Sequence, residues 1–339
     1  MAATAVPVAP SKPITPERIY QLAWAYAPPL ILEAAIRHRV FDVLDGGPQS
    51  LGEISQATGA SERGLAAILN CLVGLEFLTK DGDKYAVTPE SSTFLVTTKP
   101  SFQGGIIRHT SEHLLPKWLS LTEVVATGRP AQSVNQQGPG SDFFEKFVTD
   151  IFPMSYHVAQ ELAAHLELGE ASVLDLAAGS GVWGIALAQS SIGVHVTSVD
   201  WPGVLPVTRK TVARFGLFDR FTFVEGDLQQ ADFGAGHDIA TLGHILHSEG
   251  VERSKELLAK THKALAPGGT IAIAEFLVNA DRTGPVQGLI FAINMLVNTD
   301  SGGTYSFEEI SAWLLEAGFT DPRTLATHGP SPLILATKR

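Results

Sequence analysis

The sequence predicts an α/β fold: a seven-stranded, mostly parallel sheet with helices on both faces, preceded by a mainly helical, winged-helix-like domain. Three observations predict it. Apolar residues recur at helical spacing up to about Val96, and apolar strands alternate with amphipathic helices from residue 170 onward. The third is the length of 339 residues, which outgrows one ordinary core and implies two.

The first 14 residues, rich in Ala and Pro, read as a loose tail without the basic and apolar regions of a signal peptide. Residues 15–100 form the first domain. Helical spacing in IYQLAWAYAPPLILEAAIRHRVFDVL and RGLAAILNCLVGL is followed by two short strands around Asp81-Gly82-Asp83, a winged-helix pattern. Its second helix offers only Arg63 to a phosphate backbone, and residues 53–90 carry more acids than bases, so the apolar faces are expected to pack against a second subunit rather than DNA. Residues 101–168 hold two further helical stretches separated by the polar SVNQQGPGSD, read as a mobile loop. Trp118, Phe147, Phe152, Met154 and Tyr156 on these helices either line a substrate pocket or pack a plain core. Residues 169–339 contain the strands ASVLDLAA, VHVTSVD, FTFVEGD, DIATLGHIL and TIAIAEFLV, and end in two strands expected to form an antiparallel edge hairpin.

Composition narrows the function. A formal charge of −11 opposes nucleic-acid binding, and no apolar run approaches the about 20 residues of a membrane span. The protein is therefore expected in the cytoplasm. The single cysteine, Cys71, excludes an internal disulfide and reads as a buried, inert thiol. His109 and His113, four apart in HTSEH, lack further ligands and read as helix-surface histidines, so no metal is expected.

The chemistry concentrates in Val173-Leu174-Asp175-Leu176-Ala177-Ala178-Gly179-Ser180-Gly181, an apolar strand opening through a glycine turn into a helix. Gly179 and Gly181 let the backbone turn tightly and approach a ligand. With Gly184 they also satisfy G-x-G-x-x-G, so a dinucleotide oxidoreductase is an alternative. Asp175 argues against it, because a carboxylate at that strand end repels a pyrophosphate but suits the ammonium of an S-adenosylmethionine methionine group. Asp200 ends the second strand, where it can accept from ribose hydroxyls, and Gly226-Asp227 follow the third, where a carboxylate can accept from an adenine amino group. Ala177, Trp201 and Leu228 are expected to complete the cofactor surface.

D-L-A-A-G-S-G, Asp200 and LAPGGTIAIAEF, in that order, resemble the motifs of Rossmann-like class I S-adenosylmethionine methyltransferases. With the helical first domain, nearly the whole chain after residue 15 is similar to the plant caffeate and flavonoid, acetylserotonin and bacterial polyketide O-methyltransferases. The resemblance implies a homodimer formed through the first domain, S-adenosylmethionine as cofactor with S-adenosylhomocysteine as product, and a small aromatic or polyketide-like acceptor.

A phenol with a pKa of about 10 needs a base near neutrality, and histidine suits the task. Of the 11 histidines, His244 and His247 follow the fourth strand, beside the crevice where ligands of such sheets bind. The resemblance assigns the base to His247 and its orienting acid to Glu275. It also places Ile290, Phe291, Asn294 and Met295 on the helix that grips the acceptor; Phe152 and Met154, on the helices before the sheet, and His244, after the fourth strand, are expected as further contacts. The chain departs from the family at Ser248-Glu249, where Asp-Trp is usual, at Tyr305, where a second acid is expected, and at Gly243, where plant relatives often carry lysine. Trp183 either stacks on the ligand, covers its methionine end or packs the helix. N- or S-methylation, and a non-methylating enzyme on the same scaffold, remain alternatives.

Overall fold

The structure, a computed structural model, describes residues 14–130, 132–134, 137–329 and 331–339. The chain forms two compact units that meet between Thr98 and Lys99, so residues 101–168 belong to the same unit as the sheet. Apart from Ile14, the expected tail lies outside the described residues.

The first unit contains α1 (Glu17–Ala23), α2 (Ala27–Arg37), α3 (Val40–Asp45), α4 (Leu51–Thr58), α5 (Glu62–Gly74) and α6 (Pro89–Phe94). Strands β1 (Gln49–Ser50), β2 (Leu78–Asp81) and β3 (Lys84–Val87) pair antiparallel in the order β1-β3-β2, which makes the wing. Ser50 caps α4 and Glu53 returns the bond to the Ser50 backbone, a reciprocal cap that starts the helix at this serine. Phe41, Leu44, Ile54, Leu65, Leu69 and Leu72 fill the core. Ile19, Tyr20, Leu22 and Trp24 of α1 and the residue after it stay exposed. Cys71 is half-buried on α5 rather than enclosed, because the buried stripe runs through Leu65, Leu69 and Leu72.

The second unit holds β4 (Ser172–Leu176), β5 (His195–Asp200), β6 (Phe221–Glu225), β7 (His237–Gly243), β8 (Leu265–Ala274), β9 (Phe319–Leu325) and β10 (Leu333–Lys338), in the order β6-β5-β4-β7-β8-β10-β9. The run from β6 to β8 is parallel, while β10 pairs antiparallel with both β8 and β9. The closing hairpin thus inserts its second strand against β8 and leaves β9 at the edge. Its helices are α7 (Gly105–His109), α8 (Leu115–Trp118), α9 (Leu121–Thr127), α10 (Gln137–His165), α11 (Val182–Ser190), α12 (Leu205–Arg214), α13 (Leu246–Glu249), α14 (Val251–Ala264), α15 (Val286–Asn298) and α16 (Phe307–Glu316). The GPGSD segment read as a loop lies inside the first turns of α10, where Pro139 meets little penalty because helix-opening N–H groups have no intrahelical partner.

Two cores cover the two faces of the sheet, one including Val173, Ile185 and Leu162, the other Leu174, Leu176, Leu258 and Leu314. The alternation of Val173, Leu174 and Leu176 between them is the period of two expected of a strand buried on both faces. From β4 the chain builds outward first to β5 and β6 and then to β7 and β8. The crevice beyond the ends of β4 and β7 is therefore the switch point where such sheets bind ligands.

Candidate active site

The strand ends open into a cavity of about 600 Å³ within the second unit, a size suited to a small-molecule site. Across its floor, in sheet order, stand Asp227 after β6, Asp200 at the end of β5, the turn Ala177 to Gly179 after β4, and Gly243 at the end of β7. Trp201, Gly226 and Leu228 also line it.

The turn after β4 is made by left-handed backbone at Ala177 (φ 51°), Gly179 (φ 56°) and Gly181 (φ 78°). A side chain at Gly179 would press on Val148, and one at Gly181 on Thr208. Gly181 is therefore a packing residue that starts α11 and does not line the cavity. Gly184 plays a related part, since a Cβ there would lie 2.7 Å from Val196 Cγ1. The third glycine of the dinucleotide-like pattern is thus explained by the close approach of α11 to β5.

The expected role of Asp175 requires correction. Its carboxylate is fully enclosed on the α11 side of β4, accepts from Thr241 Oγ1 at 2.7 Å and from the Gly184 backbone N–H at 3.2 Å, and does not line the cavity. Its polar atoms are satisfied within the protein, so no ligand ammonium is called for. Burial pushes its pKa up to about 7 against the opposing pull of those hydrogen bonds. Asp200 does line the cavity. It accepts from the N–H groups of Gly179 and Trp201, each at 2.7 Å, and burial lifts it to about 6. Asp227 accepts from the Gln229 N–H at 2.9 Å and faces Arg253 at 3.4 Å.

His247, on α13, reaches the opposite end of the floor. Its Nδ1 lies 2.8 Å from Glu275 Oε2, and its backbone N–H donates to Glu275 Oε1 at 3.1 Å. Glu275 sits one residue past the end of β8, buried and absent from the cavity wall, which it reaches through His247. Burial alone would raise its pKa, but the His247 imidazole, its hydrogen bonds and the nearby His244 hold it below the usual carboxylate range. An ionised Glu275 accepting from Nδ1 assigns the ring proton there and leaves Nε2, which has no protein partner among the described residues, as the basic nitrogen. His244 also lines the cavity; burial lowers its pKa to about 4, and its Nε2 pairs with Ser331 Oγ at 2.7 Å, so it stays neutral. Its left-handed backbone (φ 61°) is held by donation to Ala274 O.

Aromatic and apolar groups enclose His247. Phe291 meets the His247 ring edge-on at 4.9 Å, and Phe276 packs on Phe291 at 4.3 Å. Phe152, Met154, Ile290, Asn294 and Met295 line the same cavity, as do Trp118 and Phe147, whereas Tyr156 does not. Asn294 Oδ1 accepts from Trp118 Nε1 at 3.0 Å and from Asn298 Nδ2 at 3.1 Å, so its own amide N–H₂ is the end left to donate.

Sequence reasoning missed several partners. His109 is no surface residue: it is buried, packs tilted against Phe147 with ring centroids 4.4 Å apart and lines the cavity from the end of α7, next to a π-helical turn over Thr110–Leu114. Helical spacing gave no sign of this, since the facing aromatic comes from α10. Glu249, in place of the usual Trp, is buried and bonds Arg253 Nε at 2.7 Å, which in turn reaches Asp227. Tyr305 is buried edge-on against Trp313, and burial pushes its hydroxyl up to about 12, so it supplies no second acid. Away from the cavity wall, Glu161 pairs with His157 at 3.0 Å and His328 at 2.7 Å, an exposed trio with atoms close enough to share a metal ion.

Residues 125–320 match the O-methyltransferase domain family. The chain belongs to that family. In this O-methyltransferase, residues 20–97 match the O-methyltransferase dimerisation domain, which sets aside a DNA-reading role for the winged-helix pattern. The enzyme is 30% identical to the tetracenomycin polyketide synthesis 8-O-methyl transferase TcmO of Streptomyces glaucescens, over 95% of this chain and 97% of that one. It is also 30% identical to the 3-hydroxy-5-methyl-1-naphthoate 3-O-methyltransferase of Streptomyces sahachiroi, over 88% of each. Among solved structures, an O-methyltransferase of Nostoc punctiforme superposes with a TM-score of 0.89 at 28% identity, covering 97% of this chain and 100% of that one. No helix among the described residues is long and apolar enough to cross a membrane.

Proposed function

We propose that this O-methyltransferase moves the methyl group of S-adenosylmethionine to a hydroxyl on a small aromatic or polyketide-like molecule, with His247 as general base. The observation that carries this reading is the Glu275–His247 pair, whose second imidazole nitrogen has no partner among the described residues, beside an aromatic-walled cavity that His247 lines.

The residues at the strand ends fit the cofactor. The left-handed turn at Gly179 leaves a cradle that a Cβ would crowd against Val148, and Asp200 and Asp227 place carboxylates where ribose hydroxyls and an adenine amino group need acceptors. When bound, the cofactor supplies an electrophilic methyl group on a sulfonium. The chain's own residues do the rest. Phe276, Phe291, Ile290 and Met295 hold a flat apolar acceptor beside His247, and fixing two reactants in line removes much of the barrier to displacement. The Asn294 amide donates to a polar group of the acceptor. As the acceptor oxygen attacks, His247 Nε2 takes its proton, and Glu275 stabilises the imidazolium through Nδ1. TcmO is named for an O-methylation in polyketide synthesis and the Streptomyces sahachiroi enzyme for one of a naphthoate, in keeping with this acceptor class.

Thermal unfolding tests the cofactor reading directly. S-adenosylmethionine and S-adenosylhomocysteine are expected to raise the melting temperature, with about 2.7 kcal/mol of stabilisation at 100 times the dissociation constant, while NAD and NADP leave it unchanged. A shift with NAD or NADP alone would reverse the assignment.

Burial of Asp200 makes cofactor affinity pH-dependent in a defined sense. The carboxylate is the accepting form, and with a pKa lifted to about 6 it is populated above that value and lost as pH falls through it. S-adenosylhomocysteine affinity is expected to drop between pH 7.5 and 5.5 in calorimetric titrations. Asp200→Asn should bind weakly at both values; a wild-type affinity flat across this range would remove Asp200 from the site.

We also infer a homodimer, supported by the exposed Ile19, Tyr20, Leu22 and Trp24 of a unit matched to a dimerisation domain. Light scattering is expected to give twice the 36.1 kDa chain mass, and Trp24→Glu to lower it; a monomeric wild type would refute the assembly.

A further inference from the structure

Gly243 and Trp183 form a matched pair at the floor of the cavity. A Cβ on Gly243 would lie 1.8 Å from Trp183 Nε1 and 2.6 Å from its Cδ1, so the indole occupies the place that any other residue at 243 would claim. Trp183 comes from the first turn of α11, is 4% exposed and lines the cavity. Its Nε1 is a donor with no hydrogen-bond partner among the described residues. This N–H is not among the sealed, unpartnered polar atoms of the described residues, so it is open to the cavity that Trp183 lines, where a ligand acceptor can pair with it.

The position of this donor selects its ligand atom. Asp227 and Asp200 mark the nucleoside end on one side of β4, and Gly243 stands on the other, at the end of β7. A ligand anchored by its nucleoside at those two acids and crossing the Ala177–Gly179 turn reaches Gly243 with its amino-acid end. That end carries a carboxylate. No lysine or arginine lines the cavity among the described residues, and the N-terminus of α11 beside Trp183 favours negative charge.

We propose that the Trp183 indole N–H, admitted by the missing side chain of Gly243, binds the carboxylate of the cofactor's methionine portion. The inference rests on the cofactor reading above. Trp183 is then a binding residue in which a neutral donor does the work of a cation.

Calorimetric titration of the dimeric enzyme with three probes tests it: S-adenosylhomocysteine, its decarboxylated analogue, and 5′-methylthioadenosine, which lacks the whole amino-acid end. Trp183→Phe keeps an aromatic ring and loses the N–H. It is expected to weaken S-adenosylhomocysteine by about tenfold, as for loss of one hydrogen bond to a charged group, and to leave the other two probes within about twofold. Gly243→Ala, whose Cβ displaces the indole, should give the same selective loss. Equal weakening of all three probes, or no weakening of S-adenosylhomocysteine, would overturn the proposal. Should neither variant fold, the wild type alone decides: decarboxylation is expected to cost at least about tenfold in affinity, and equal affinities for the two homocysteine probes would refute the contact. Wild type that binds none of the probes would instead overturn the cofactor reading.

Discussion

His247→Ala is expected to lower kcat for a phenolic acceptor by about 10²–10⁴-fold near neutral pH, the range for a lost general base, while S-adenosylhomocysteine affinity stays within about twofold. The two readouts separate because His247 is paired with Glu275 and packed on Phe291, and not with Asp200, Asp227 or Trp183, the residues read as holding the cofactor. The loss should shrink as pH rises toward the phenol's own pKa of about 10, where the acceptor ionises without help. Steady-state rates from pH 7 to 10 measure this. A variant that turns over like wild type at pH 7 would assign His247 a packing role, and equal loss at every pH would make it a binding residue rather than a base.

Glu275→Gln is expected to be nearly as damaging, although the change is isosteric. Glu275 accepts twice from one residue, at Oε1 from the His247 backbone N–H and at Oε2 from Nδ1. A glutamine has one acceptor and one donor to offer the same two partners. The backbone N–H cannot accept, so the amide oxygen must face it and the amide N–H₂ must face Nδ1. That arrangement moves the imidazole proton to Nε2 and blocks the nitrogen that takes the acceptor's proton. A fall in kcat of about 10²–10⁴-fold follows, comparable with wrong-tautomer variants of other His–carboxylate pairs. Recovery at high pH should accompany it, with KM and the melting temperature little changed. A merely structural role would instead lower the melting temperature and leave the pH profile unaltered.

The departures from the family pattern sharpen these expectations. Tyr305, pushed up to about 12 and packed on Trp313, cannot share the imidazolium charge, so Glu275 carries the orientation of His247 among the described residues. Ser248-Glu249 do not leave a gap: Glu249 turns to Arg253, which links it to Asp227. The His247 end and the Asp227 end of the floor are thereby joined by charged side chains.

Much of the site was legible in the sequence because its signals are local. A glycine turn between an apolar strand and a helix, acids at the ends of successive strands and a histidine after the fourth strand follow from side-chain periodicity and turn chemistry, which act over a few residues. They pointed to Asp200, Asp227, Gly179 and His247, which line one cavity, whereas Glu275, which reaches it through His247, and the α15 residues on its wall came from the family resemblance. Where the reading failed, the deciding partner lay far along the chain. Asp175 looked like a ligand acid because an acid in a buried strand needs a partner, yet Thr241 on β7 and Gly184 on α11 satisfy it. His109 looked like a surface residue because its cover, Phe147, comes from another helix.

The sequence by itself determined the two-unit organisation, the α/β class with its parallel strands, and the chemical types gathered at the strand ends. Tertiary structure alone decided which of those groups face the cavity and which are spent inside the protein. It put Asp200 at the wall and Asp175 behind it, oriented the Asn294 amide through Trp118 and Asn298, and set the Trp183 indole into the space left by Gly243. The reason is physical: element formation follows local propensity and hydrophobic period, whereas the satisfaction of a buried polar group depends on neighbours that only the packed chain brings within hydrogen-bond reach.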